Sequence, residues 1–82
     1  NKRLANLRKH GIDFADVPSV FDGGTVMVED DRYNYGERRF VTFGLLGGRS
    51  IAVVHTESDD LIRVISARKA TKYEQRTYFE QI

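Results

Sequence analysis

Hydrophobic positions change period along the chain. Over residues 1–10 Leu4 and Leu7 lie three apart with charges between them, which predicts a short helix with one apolar face. Gly11, following Lys9 and His10, has the signature of a C-cap: glycine takes the left-handed conformation and cations suit the end of the helix dipole. Asp13 is placed to cap a second short helix with Phe14, Val17, Val20 and Phe21 facing inward, and Pro18 predicts a break or 3₁₀ stretch within it. After the Asp22-Gly23-Gly24 turn the period becomes two. Strands are predicted at Thr25–Glu29, Arg38–Leu46, Arg49–Thr56 and Leu61–Arg68. Gly47-Gly48 makes a two-residue hairpin, Glu57-Ser58-Asp59-Asp60 joins the last two strands, and Asp30–Gly36 is a polar loop. Thr71 to Gln81 reads as a helix opened by a Thr71–Glu74 capping box. The order α-α-β-β-β-β-α with short connections predicts an α+β fold: two short N-terminal helices, a four-stranded antiparallel meander and a C-terminal helix, the helices on one face or end of the sheet.

Eighty-two residues make one domain, 1–82, with a modest core. The absence of cysteine removes disulfides, thiol nucleophiles and Cys-ligated metals. The longest apolar run, Ile51 to Val54, is far short of a membrane helix, and no signal-peptide pattern opens the chain, so a cytoplasmic location is expected. A net charge of +1 hides segregation: residues 1–10 carry +4, residues 11–31 carry −6, residues 32–56 carry +3, the Glu57–Asp60 turn −3, and residues 61–82 +3. Basic blocks that converge would attract a polyanion; otherwise the blocks neutralise one another on a mixed surface.

The densest chemistry lies in the fourth strand and its exit, Arg63 to Thr71. Strict alternation puts Arg63, Ile65 and Ala67 on one face, and Ile62, Val64, Ser66 and Arg68 on the other, with Ile62 and Val64 in the core. Arg63 among aliphatics needs a partner. It either grips a phosphate or pairs with Glu29, Glu37 or Glu57. Arg68, Lys69 and Lys72 flank a helix start, where backbone N–H groups favour anions, or form an ordinary solvated junction. His10 and His55 are the only side chains that titrate near neutrality unperturbed; His10 also fits a cap role and His55 a strand-edge role. No metal-ligand spacing, P-loop or nucleophile elbow is present, and no metal or cofactor is expected.

The blocks Asn6-Leu7-Arg8-Lys9-His10-Gly11-Ile12-Asp13-Phe14, Glu37-Arg38-Arg39-Phe40 with Gly44, Val53-Val54-His55-Thr56, and Arg63-Val64-Ile65-Ser66-Ala67-Arg68-Lys69-Ala70 with Glu74 and Tyr78 resemble the BrnT family of type II toxin–antitoxin toxins. The resemblance spans essentially the whole chain. It implies a RelE-like fold, a ribonuclease that arrests translation, and a BrnA-type ribbon-helix-helix antitoxin that neutralises the toxin and carries the DNA contact. Family members usually open with a short strand bearing an aromatic-Trp-Asp motif. This chain has no Trp and begins at Asn1, so that strand is expected to precede the sequence given.

Metal-independent RNA cleavage needs a base for the 2′-hydroxyl, cations for the phosphorane and an acid for the leaving 5′-oxygen. Arg63 and Arg68 are the expected phosphate clamps. His10, His55 or Glu57 serve as candidate bases, and His10, Lys9 or Tyr78 as acids. Arg39, Lys69 and Lys72 are the expected backbone-positioning cations, while Tyr33 and Tyr35 stack bases or sit half-buried. Arg63, Arg68, Lys9 and His10 are expected to converge on one concavity. A non-catalytic module that docks a protein or nucleic acid is the competing function, and a domain whose arginines only form salt bridges is the third reading.

Overall fold

A computed structural model describes residues 1–32, 34, 36–58 and 61–82. Tyr33 and Tyr35, the candidate base-stacking residues, and Asp59 and Asp60 of the predicted turn lie outside the described residues. Helix α1 spans Lys2–His10, a 3₁₀ turn Phe14–Asp16 and helix α2 Val17–Phe21. Strands β1 (Val26–Asp30), β2 (Arg39–Leu46), β3 (Arg49–Ser58) and β4 (Leu61–Lys69) follow, then helix α3 (Lys72–Gln81). The sheet is a meander in the order β1-β2-β3-β4, every pair antiparallel. Its elements match the predicted ones to within one or two residues at each end. Among the described residues no helix is long and apolar enough to cross a membrane.

The local signals act as their chemistry requires. The Gly11 N–H donates to the Leu7 carbonyl at 2.8 Å and closes α1. Asp13 Oδ1 accepts from the Ala15 N–H and caps the 3₁₀ turn. Gly47 and Gly48 both take positive φ, 58° and 79°, which a tight hairpin of this hand demands. The Thr71–Glu74 capping box is fully formed.

The sheet has two faces. On the front, Ile51, Val53 and Ala67 meet Ile12, Val17 and Val20 in the main core, with Phe14, Phe21, Leu46 and Val64 packed around it. Here α2 sits so close to β2 that a Cβ on Gly44 would lie 2.6 Å from Val20 Cγ1. On the reverse, Ala52 and Val41 are also buried, and α3 packs against β2 on that side. Two contacts fix α3 there: Arg68 to Glu74, and the Tyr78 hydroxyl donating to the Gly24 carbonyl at 2.6 Å. The helices are therefore not gathered on one side, as expected; α2 and α3 sandwich the sheet. The reason is burial: β2 and β3 carry small or aliphatic residues on both faces, so each face needs a cover.

Helix α1 also departs from its reading. Leu4 and Leu7 are exposed, and the residue that α1 buries is Asn6. Its amide donates to the Ala67 and Ile12 carbonyls at 3.0 and 2.8 Å, and its oxygen accepts from the Ala67 N–H at 3.1 Å. β4 is an edge strand, and Asn6 satisfies the backbone groups that no neighbouring strand can reach. Asn6→Ala is expected to cost about 2–3 kcal/mol by stranding these buried groups, a fall of roughly 10–20 °C in Tm by calorimetry.

Candidate functional site

A β-bulge in β4 organises the charged side chains. Val54 faces Ser66 but His55 faces Val64, so Ile65 is an extra residue opposite the β3 backbone. The bulge resets the alternation. Val64 and Ala67 both turn to the front core. Arg63, Ser66 and Arg68, opposite Thr56, Val54 and Ala52, share the reverse face. Strict alternation had separated Arg63 from Arg68. It had also put Ile62 in the core, whereas Ile62 is 42% exposed near the strand's free end.

On the reverse face Arg63 reaches Glu37. Its Nη2 lies 2.9 and 2.8 Å from the two carboxylate oxygens, and its Nε is 3.4 Å from the Thr56 hydroxyl. Arg39 Nε lies 3.7 Å from the same carboxylate. The Arg63 side chain is 54% exposed and that of Glu37 38%, so both face solvent. In the sequence Glu37 stands out only as a possible salt-bridge partner of Arg63.

Arg68 is committed differently. Its two terminal nitrogens hold both oxygens of Glu74 at 2.8 and 3.0 Å, and Glu74 also accepts from the Thr71 N–H. The guanidinium beside it holds the Glu74 carboxyl down at about 2. Arg68 thus straps the end of β4 to the first turn of α3.

Lys9 and Lys2 line a groove of about 240 Å³ between α1 and β4, against Ile65 and the reverse-face Ser66. His10 borders this groove and also a cavity of about 490 Å³ beneath the β2–β3 hairpin, which Arg49, Lys69 and Asp16 line as well. Lys72 is exposed in the first turn of α3. The expected four-residue convergence is accordingly divided. Lys9 and His10 share a groove whose wall includes Ser66, while Arg63 and Arg68 sit on the same sheet face but hold carboxylates and line neither cavity.

Two candidate residues turn inward. His55 is 0% exposed, its Nε2 2.7 Å from the Thr42 hydroxyl, its ring stacked on Phe40 and edge-on to Phe21. No substrate can reach it as a base, and Glu57 stands 3.9 Å from its Nδ1. Tyr78 is 1% exposed and donates its hydroxyl to Gly24. That geometry takes it from the acid candidates, because its spacing from Glu74 aims it under the helix and into the sheet. Among the described residues no group of three or more His, Asp and Glu is arranged to hold a metal.

Burial holds the His55 pKa below its ordinary 6.5, against the pull of Glu57. A depressed histidine stabilises the fold above the unfolded pKa, and that contribution is lost as pH falls below about 6.5. Glu74, lowered from 4.5 to about 2, contributes stability that is lost between those two values. Melting temperature should therefore fall in two acid stages, and Glu74→Gln should shrink the lower one, to which Asp13, held down at about 2 by the Arg3 guanidinium, also contributes. A Tm that is flat from pH 7 to pH 3 would contradict both assignments.

Comparison with curated proteins finds no match. The family model described as the ribonuclease toxin BrnT of type II toxin–antitoxin systems matches residues 1–74. With nine-tenths of its length so matched and the Lys9-His10-Gly11 and Ile65-to-Ala70 blocks within that span, the chain belongs to the BrnT family of ribonuclease toxins.

Proposed function

We propose that this toxin cleaves RNA without a metal, using the substrate's own 2′-hydroxyl as nucleophile, and so arrests translation in the cytoplasm. Arg63 is the principal phosphate clamp, since its guanidinium is exposed on an open sheet face beside Arg39. Lys9 and His10, at the rim between α1 and β4, supply positive charge and a proton for the leaving 5′-oxygen. Arg39, Lys69 and Lys72 position the backbone, and Arg68 holds the strand exit that carries Lys69. The fold is RelE-like on this reading. A BrnA-type ribbon-helix-helix antitoxin neutralises the toxin by laying an acidic or amphipathic segment on the basic surface, and any DNA contact is the antitoxin's.

The observation that carries this reading is the bulge at Ile65, which turns both strand arginines to one face. The test is cleavage of single-stranded RNA by antitoxin-free protein in EDTA. We expect products ending in 2′,3′-cyclic phosphate and 5′-hydroxyl, and no cutting of DNA of the same sequence. One observation favours the docking-module alternative: both arginines already hold carboxylates. Protein that binds RNA or antitoxin tightly yet never cuts would establish that alternative.

A further inference from the structure

We infer that Glu37 is the general base of this site, held by Arg63 and Arg39 until a substrate phosphate displaces it; the inference rests on the ribonuclease reading above. Three observations converge on it. First, Glu37 lies within hydrogen-bond reach of Arg63 and 3.7 Å from Arg39, on a face open to solvent. An exposed pair of this kind contributes little to folding, so stability does not account for it. Second, the other carboxylates that the structure pairs nearby are engaged elsewhere. Glu29 holds Arg38, Asp30 on β1 holds Arg32, and Glu74 holds Arg68 and caps α3. Glu57 sits beside His55, whose ring is buried on the front face. Third, a carboxylate presents two oxygens to a guanidinium much as a phosphodiester presents its two non-bridging oxygens. Glu37 occupies, in the resting protein, the place a phosphate would take on Arg63.

The displacement frees Glu37 where catalysis needs it. When a phosphate takes Arg63, Glu37 loses that cation as a partner, and its two oxygens are released beside the incoming phosphate. Arg39 remains beside it, and Thr56 remains beside Arg63. The carboxylate is therefore freed only once the scissile phosphate is bound, and it is then adjacent to that phosphate. Glu37 takes the proton of the 2′-hydroxyl; the 2′-oxygen bonds to phosphorus as the bond from phosphorus to the 5′-oxygen breaks. The 5′-oxygen leaves with a proton supplied by His10, Lys9 or water, and Glu37 returns its own to solvent, so that atoms and charge balance.

The test compares wild type, Glu37→Gln and Glu37→Asp as the full chain, on a single-stranded RNA and on an uncleavable DNA of the same sequence. Glu37→Gln should lower kcat about 100-fold or more. It should bind the DNA as well as or better than wild type, because a competitor for Arg63 has been neutralised. The acid limb of the pH–rate profile should vanish in the residual activity, Glu37→Asp should restore part of the rate, and Tm should be unchanged. Full activity in Glu37→Gln, or an unchanged acid limb, would overturn the assignment while leaving the ribonuclease reading intact. Parallel loss of cleavage and DNA binding would instead make Glu37 a residue that positions Arg63. A wild type that cuts no RNA would remove both.

Discussion

Replacing Arg63 with alanine is expected to slow RNA cleavage by one to two decades while leaving the fold in place. A charge-assisted hydrogen bond to a phosphate is worth about 1.5–3 kcal/mol, which converts to roughly that loss of rate. The fold tolerates the change because the side chain is 54% exposed and its partner Glu37 is solvent-facing too. Arg68→Ala makes the informative contrast. Its side chain is only 32% exposed and bridges β4 to α3 through Glu74, so its loss should lower Tm as well as activity. Single-turnover cleavage and thermal melts on the same two variants separate the roles. If Arg68→Ala keeps its Tm and loses only cleavage, Arg68 acts on the phosphate rather than on the fold. If Arg63→Ala cuts at the wild-type rate, the clamp lies elsewhere, and the cavity bordered by His10, Arg49 and Lys69 is the next place to look.

Tyr78→Ala should be the most damaging substitution to stability, at about 3–5 kcal/mol, since it empties a large aromatic site beneath α3. For a small domain that is a large share of total stability, and the variant should be substantially unfolded at 37 °C by circular dichroism. Tyr78→Phe isolates the hydroxyl. It keeps the ring and its edge contact with Phe79 but strands the Gly24 carbonyl, for about 1 kcal/mol. The phenylalanine variant should still cut RNA at near wild-type rate. A hundredfold loss of cleavage in a folded Tyr78→Phe protein would return the hydroxyl to the list of proton donors.

Much of this molecule was legible in local chemistry. The Gly11 cap, the Asp13 cap, the Gly47-Gly48 hairpin and the Thr71–Glu74 box each depend on residues within a few positions of one another, so sequence alone determines them. Alternation likewise identified four strands and their antiparallel order, because the short turns leave no other pairing. The family resemblance rested on contiguous blocks and holds over residues 1–74.

What only the tertiary structure decided is everything that depends on one extra residue or on a distant partner. The bulge at Ile65 leaves no mark in the alternation of Arg63 to Arg68, because apolar and polar residues there fit either register. Yet it reverses which side chains share a face, and with them the site. Asn6 reads as a polar helix residue until β4 proves to be an edge strand whose backbone needs a partner 61 positions away. Leu4 and Leu7 have helical spacing but no surface to bury against, since α1 meets the strand edge through Asn6 instead. Glu37 and Arg63, 26 residues apart, become neighbours only when β2, β3 and β4 pair in register. Local spacing determines elements; which charges meet is determined by the register and packing of strands remote in sequence.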